Sequence, residues 1–247
     1  MALLLVAGTA SCGSDLEIGD VAVLESLPHD SLAYTQGLLL HEGFLLESTG
    51  RYGESDLRRV DPETGEVLAI VSLASEYFGE GLARVDSTLV QLTWREGVVL
   101  IYDLETLDLK QSIEIGMHGW GLCYDGESLF MTSGGSILFR RDPTSLDVVE
   151  SIQITLDGSP LSEVNELECV GDHIYGNVYQ SNLLVKIEKE TGRVVAQYDA
   201  SRLVPVEIRG LVDAVLNGIA YEPGTDSFYL TGKLWPTMYR VRLLPPG

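Results

Sequence analysis

The sequence predicts an all-β chain, a single five-bladed β-propeller with four-stranded antiparallel blades and its last blade closed by the N-terminal strand. Three observations predict it. Five similar segments recur: "TQGLLL" around Gln36, "GEGLAR" around Glu80, "GWGLCY" around Trp120, "VNELEC" around Asn165 and "LNGIAY" around Asn217. Their spacings of 44, 40, 45 and 52 residues match the period of a four-stranded blade. Each segment is followed by the same succession of turns and alternating strands. The fifth repeat stops after its third strand, and "DVAVLESL" at 20–27 supplies the missing one from the other end of the chain.

Taken in order, each repeat opens with an apolar first strand and then a polar turn, such as "HEG" at 41–43 or "DGE" at 125–127. The second strands are "FLLEST", "LVQLTW", "LFMTSG", "IYGNVY" and "FYLTGK"; the third are "DLRRVD", "VVLIYD", "ILFRRD", "LLVKIE" and "MYRVRL". Both sets carry the aromatic and β-branched residues that suit a pleated, half-buried surface. Turns such as "DPETGEV" and "DPTSLDV" lead to the fourth strands, "VLAIVSL", "DLKQSIEI", "VVESIQI" and "VVAQYD". Only 200–216 breaks the pattern, and it reads as a loop with a short helix. The domain therefore spans 20–247, after a leader and linker at 1–19.

The first strands of a propeller line its central channel, with their starts at one mouth. Regular hairpin pairing places 36 opposite 49, 80 opposite 94, 120 opposite 134, 165 opposite 179 and 217 opposite 233. Gln36, Glu80, Trp120, Asn165 and Asn217 then form a ring, with Trp94, Tyr179 and Lys233 just outside it. Tyr34, Phe78 and His118, each two residues before a ring residue, extend the wall outward. One carboxylate, one amine, three amides and several aromatic faces make a concave small-molecule site. Singly, each residue has a plainer reading: Glu80 as a solvated turn residue, the tryptophans as packing, Lys233 as a surface lysine. Their convergence favours a site, in which Gly79 and Gly81 leave room for a substrate's chain end. Trp235 has no counterpart in the other repeats and reads as packing.

Composition narrows the partners. With Asp+Glu 37 against Lys+Arg 16, a net charge of −21 and a pI near 4.4, the chain is a poor ligand for nucleic acid or anionic lipid. The start, "MALLLVAGTASCGSD", resembles a bacterial lipoprotein leader whose cysteine, Cys12, is lipidated. The expected location is therefore exported, as a periplasmic or outer-membrane lipoprotein anchored by lipid, alternatively secreted. Cys123 and Cys169 lack metal-ligand spacing and read as buried small residues, with a disulfide left open. The four histidines, His29, His41, His118 and His173, show no ligand spacing either. No GxSxG, HExxH, phosphate-loop or EF-hand pattern is present.

The runs "YTQGL", "ESTGRYGESDLRRVDPETGEV", "FGEGL", "LTWREGVVLIYD", "GWGL", "NELE", "GNVYQS", "LNGIAY" and "TGKLWP" resemble the plant and bacterial type of glutaminyl-peptide cyclotransferase, the papaya-latex kind. The resemblance extends from about 20 to 244. It implies a five-bladed propeller that converts N-terminal glutamine of peptides or proteins to pyroglutamate, releasing ammonia without zinc. It implies that Glu80 is the essential acid, joined by Gln36, Asn165 and Lys233, with Trp94 and Trp120 as pocket aromatics. Tyr34 and Tyr179 stand where the family more often has phenylalanine and tryptophan; both keep a ring, so specificity rather than activity is affected. No cofactor is required, although some members hold a structural calcium in the channel. A monomer is expected. Two competing functions are a calcium-dependent propeller hydrolase, its ion held by Glu80, Asn165 and Asn217, and a non-catalytic peptide-binding propeller on an envelope.

Overall fold

The computed structural model of the chain describes residues 17–245, so Cys12 lies outside the described residues. Strand β1 is Glu17–Pro28, β2 Thr35–His41, β3 Phe44–Thr49, β4 Asp56–Val60 and β5 Val67–Ser72. There follow β6 (Gly79–Val85), β7 (Thr88–Thr93), β8 (Val98–Asp103) and β9 (Leu109–Glu114). Then come β10 (Leu122–Tyr124), β11 (Leu129–Met131), β12 (Ile137–Arg141), β13 (Val148–Gln153) and the small hairpin β14 (Thr155–Leu156) and β15 (Ser159–Pro160). The remainder are β16 (Val164–Val170), β17 (His173–Val178), β18 (Leu183–Glu188), β19 (Val194–Asp199), β20 (Leu216–Glu222), β21 (Ser227–Gly232) and β22 (Thr237–Leu244). Helix is confined among the described residues to two 3₁₀ turns, Ser201–Leu203 and Val206–Ile208, inside the segment expected to be irregular.

The chain is all-β, but the strand pairing corrects the expected five-bladed propeller of separate four-stranded antiparallel blades. β2 to β5, β6 to β9 and β10 to β13 form four-stranded sheets, whereas β16 to β19 and β20 to β22 belong to one eight-stranded mixed sheet. The join is β1. Its first residues pair parallel with β19, Glu17 with Ala196 through Gly19 with Tyr198. The rest pairs antiparallel with β22, from Asp20 with Leu244 to Pro28 with Thr237. The physical reason is length: the strand expected at 20–27 begins at Glu17, and its extra residues cover an edge of β19 that would otherwise leave backbone groups unpaired. The end strands of this sheet, β16 and β20, lie against each other, so it is nearly closed. The β14–β15 hairpin is a further addition to the expected plan.

The repeats do place their first strands together. β2 neighbours β6, β6 neighbours β10, β10 neighbours β16, β16 neighbours β20, and β20 returns to β2. Strands covered on both faces lose the inside–outside alternation, and β2 and β6 are buried over their first five residues. By contrast β5 alternates between half-buried and exposed, and β9 is mostly exposed. The turns between third and fourth strands form because an aspartate folds back on the backbone. Asp61 Oδ1 accepts from the Glu63 and Thr64 N–H groups at 2.8 and 3.1 Å, and Asp142 Oδ1 accepts from Thr144 and Ser145, both at 2.8 Å, which is the aspartate turn chemistry expected of such sequences.

Trp235 is fully buried among Leu203, Ile208, Ala214 and Phe228, in keeping with its reading as packing. Cys123 and Cys169 are joined in a disulfide with a Cα–Cα distance of 5.5 Å. They meet because β10 and β16 are neighbours in the inner ring. Chain-entropy arguments give such a cross-link, 46 residues apart, a contribution of about 4 kcal/mol at most.

Candidate active site

The site is built on irregularities at the starts of the first strands. The β2–β3, β6–β7, β16–β17 and β20–β21 ladders each shift register there, between Thr35/Gly37, Gly79/Leu82, Val164/Leu167 and Leu216/Ile219. Bulges of this kind re-aim side chains and occur beside functional sites. They also correct the expected pairing: Gly79 faces Thr93 and Leu82 faces Gln91, so Glu80 lies within the bulge rather than in a regular pair with Trp94. The glycines on either side have a different reason from the one expected. A Cβ on Gly79 would lie 2.5 Å from the Thr49 carbonyl oxygen, and one on Gly81 2.5 Å from the Trp120 carbonyl oxygen and the Leu122 nitrogen. They admit neighbouring backbone, and Gly81 N–H donates to Trp120 O at 2.7 Å.

Tyr34, Gln36, Phe78, Glu80, Trp94, Trp120, Asn165, Tyr179 and Lys233 line one cavity of about 180 Å³. These are nine of the sequence-derived candidates. Two are placed elsewhere: His118 is exposed and outside the lining, and Asn217 is buried behind Gln36. Its Nδ2 donates to Thr35 O at 2.9 Å and to Gln36 Oε1 at 3.2 Å. Gln36 Nε2 then donates to Glu80 Oε1 at 3.1 Å, so two amides in series orient the carboxyl. Phe78 packs 5.4 Å from Trp94 and edge-on to Tyr34 at 6.1 Å. Across the cavity Trp120 and Tyr179 meet edge-on at 5.6 Å. Such contacts hold aromatic walls in fixed orientations.

Glu80 is 3% exposed, and its Oε2 has no hydrogen-bond partner among the described residues. Asn165 Oδ1 is likewise without a partner there. Burial pushes the Glu80 carboxyl well above the usual carboxylate range; Lys233 draws it down in part, and Glu96 adds to the rise. Lys233 is 2% exposed. Its Nζ sits 4.9 Å from the ring centroids of both Tyr34 and Tyr179, and burial lowers its pKa to about 8, against the opposing pull of Glu80 and Asp213. Carboxyl and amine are thus brought toward each other in proton affinity, as acid–base chemistry near neutrality requires.

A buried brace supports this arrangement and has no counterpart in the repeat pattern. His29 Nδ1 donates to Trp235 O at 2.7 Å and Nε2 to Glu47 Oε1 at 3.0 Å, and Thr35 Oγ1 donates to the same oxygen at 2.7 Å. Both ring nitrogens face acceptors, which is the pattern of an imidazolium. One pair thereby holds the loop after Lys233 and the residue before Gln36. Despite burial, Glu47 raises the His29 pKa above 6.5, while for Glu47 burial is opposed by His29, Arg58 and Thr35, which together hold it below 4.5. The His29 contribution to stability is complete below 6.5 and is lost as pH rises through the raised value. That of Glu47 is present above 4.5 and is lost as pH falls through the depressed one. Thermal melts are expected to show a lower Tm at about pH 8 than at about pH 6, with a flatter dependence in His29→Gln; an equal slope in both proteins would remove the brace from this role.

The calcium implied by the resemblance finds no carboxylate cluster ready for it. Among the described residues no group of three or more His, Cys, Asp or Glu side chains is set for a metal. Glu166 uses both oxygens on the Leu38 and Ile219 N–H groups, at 3.1 and 2.9 Å. Glu168 accepts from Tyr221 N–H at 3.2 Å, and burial pushes it up to about 8. A hard dication takes six to eight oxygens, carboxylates prominent among them. Glu166 does not meet that requirement, since both its oxygens are taken; the buried carboxyl and amide oxygens without partners among the described residues are Glu80 Oε2, Asn165 Oδ1 and Asn217 Oδ1.

Residues 1–243 match the family model described as glutamine cyclotransferase. The chain is 36% identical over 245 residues to a glutaminyl-peptide cyclotransferase of Arabidopsis thaliana, covering 94% of this chain and 75% of that protein. It is similar in structure to the glutaminyl cyclase of Myxococcus xanthus, with TM-score 0.88 and 35% identity over 94% of this chain and all of that one. A hydrazine synthase of Kuenenia stuttgartiensis shares only fold features, at TM-score 0.50 and 16% identity over 83% of this chain and 57% of the other. With its acid, amides, lysine and aromatic walls gathered in one cavity, the chain belongs to the glutamine cyclotransferase family.

Proposed function

We propose that the chain is a glutaminyl-peptide cyclotransferase: it closes the N-terminal glutamine of peptides into pyroglutamate and releases ammonia, with Glu80 moving the proton. The observation that carries the role of Glu80 is its buried Oε2, a cavity-lining acceptor with no partner among the described residues. An N-terminal amine, with a pKa of about 7.7–8.0, is partly neutral and nucleophilic near pH 7. Its nitrogen attacks the side-chain carboxamide carbon, forming the ring C–N bond. A cavity that holds the folded side chain supplies proximity of several kcal/mol or more.

Ammonia leaves readily only when the departing nitrogen is protonated. Glu80 takes the proton from the attacking amine and delivers it to that nitrogen as the old C–N bond breaks. Its raised proton affinity suits both halves of the transfer. Asn165 Oδ1 is an acceptor suited to the carboxamide N–H groups. Lys233, a cation lining the same cavity, stabilises the tetrahedral oxyanion, and Gln36, fixed by Asn217, orients Glu80. Trp94, Trp120, Tyr34, Phe78 and Tyr179 exclude water and hold the apolar stem of the substrate. No step requires a metal.

The test is ammonia release from glutaminyl dipeptides in the presence of EDTA. Full activity is expected; activity abolished by EDTA and restored by calcium would favour the hydrolase chemistry, and binding without ammonia would favour a peptide-binding module.

A further inference from the structure

We infer that Arg51 and Arg95 form a carboxylate-binding rim on the cavity, selecting substrates that carry an acidic group just beyond the N-terminal glutamine. The inference rests on the cyclotransferase reading and deepens it. In a chain with 37 acidic and 16 basic residues, cations are readily neutralised. Arg58, Lys110, Arg140, Lys189, Arg193 and Arg240 all stand in ion pairs with carboxylates. Others, such as Arg59, Arg84 and Arg141, bond backbone carbonyls and stand in no ion pair among the described residues, so it is position that marks the two arginines near the cavity. Arg51 lies over Tyr34 at 4.8 Å and Arg95 over Trp94 at 3.8 Å, each on an aromatic that lines the pocket.

Neither guanidinium is consumed by the acids nearby. Glu96, next in sequence to Arg95, accepts from Tyr52 Oη at 2.8 Å and from Phe78 N–H at 3.4 Å. Arg95 itself is exposed and makes no ion pair among the described residues. Arg51 meets Glu54 at 3.9 Å, with the side chains 40% and 70% exposed, a contact that contributes little. Asp213 acts on Tyr34 and Lys233 and stands in no ion pair with either arginine among the described residues.

The backbone holds this corner in an uncommon state. Arg51 has φ of +92°, a region disfavoured for any residue with a Cβ. Its carbonyl accepts from Glu54 N–H at 3.1 Å and Ser55 Oγ at 2.7 Å. Gly50 N–H donates to Tyr34 O at 2.8 Å, tying the turn to the wall. Phe78 lies between the two stacks, 6.1 Å from Tyr34 and 5.4 Å from Trp94. Each guanidinium thus lies over one of two cavity-lining rings that share Phe78 as a neighbour.

The chemistry follows from the stack. A guanidinium lying on a ring keeps its in-plane N–H donors for a planar, bidentate partner, and a carboxylate fits that fork. With the glutamine side chain in the cavity, the next residue crosses the rim. The carboxylate can come from the side chain of that residue or from the C-terminus of a dipeptide. A net charge of −21 repels acidic peptides generally, and two exposed or part-exposed cations, one unpaired and one only weakly paired, offset that repulsion where the substrate enters.

The test compares three peptides on the intact protein: Gln-Glu-amide, Gln-Ala with a free carboxylate, and Gln-Ala-amide. The kcat/KM for ammonia release is expected to favour a carboxylate over Gln-Ala-amide by roughly fivefold, as for an exposed charge-assisted pair, through KM. That ratio is expected to fall to about one in Arg51→Gln/Arg95→Gln and to shrink in Arg95→Gln alone, which leaves the Arg51 turn untouched. A gain for Gln-Glu-amide only assigns the rim to the side chain; a gain for Gln-Ala only assigns it to the chain terminus. Equal constants in the wild type, or a ratio unchanged in the variants, would overturn the inference. Tryptophan-fluorescence titration with the three matching pyroglutamyl peptides reads the same ratio without turnover. Absence of ammonia from every peptide would count against the cyclotransferase reading, while the titration still decides the rim.

Discussion

Replacing Glu80 with glutamine is expected to lower kcat about a thousandfold, the scale of a lost general acid–base, and to leave Tm at neutral pH equal or higher. The two halves of this expectation have one cause. Burial holds the carboxyl well above its usual pKa, so the folded protein carries a group that would ionise more readily in the unfolded chain. Its contribution becomes less favourable as pH rises. Glutamine keeps the shape and an oxygen able to accept from Gln36 Nε2, and removes the proton traffic. Steady-state ammonia release and a thermal melt of the same preparation check both. Retention of near wild-type turnover would sink the role assigned to Glu80.

Substituting Lys233 with methionine is expected to lower kcat about a hundredfold with little change in KM, as for loss of one oxyanion donor. The pH–rate profile should change as well. The buried amine titrates at about 8, so wild-type activity is expected to fall above that pH as the cation is lost. That alkaline limb should vanish in the variant. Glu80 also loses the cation that partly draws it down, which moves the acid limb upward. Methionine fills similar apolar space between Tyr34 and Tyr179, so a folding defect would not mimic this pattern. An unchanged kcat would remove Lys233 from the reaction.

What could be read from the chain depended on whether it repeated. Gln36, Glu80, Trp120 and Asn165 were legible because equivalent positions in successive repeats must converge when their strands become neighbours. Tyr34 and Phe78 followed as the residues two before Gln36 and Glu80, and Trp94, Tyr179 and Lys233 from the hairpin pairing expected with Glu80, Asn165 and Asn217. The bulge register was hidden, since Gly79 and Gly81 signal close approach without saying whether a substrate or another strand approaches. Asn217 shares the repeat position but acts from behind Gln36. The disulfide depended on β10 lying beside β16, which no cysteine spacing reveals. Arg51 and Arg95 do share a repeat position, 15 residues after Gln36 and Glu80, but an arginine on an exposed turn carries no mark of a site; the His29–Glu47 brace has no counterpart in other repeats, so self-similarity carried no information about it. The grouping of strands into separate blades failed for a related reason: the extra residues of β1 carry no mark of which edge they will cover.

The pairing of Asp20 with Leu244 also sets a timetable. A growing chain can complete the sheets of β2 to β13 before β22 is made, but the eight-stranded sheet must wait for β22, whose partner β1 precedes every other described strand. Closure between such distant segments is slow because the intervening chain must be ordered before the contact repays it. Lys233, on the turn just before β22, and Asn217, which holds Gln36 across the same region, reach their places in that final stage. Assembly of the cavity is therefore tied to the arrival of β22, and a chain lacking that strand cannot close the sheet that carries Lys233 and Asn217.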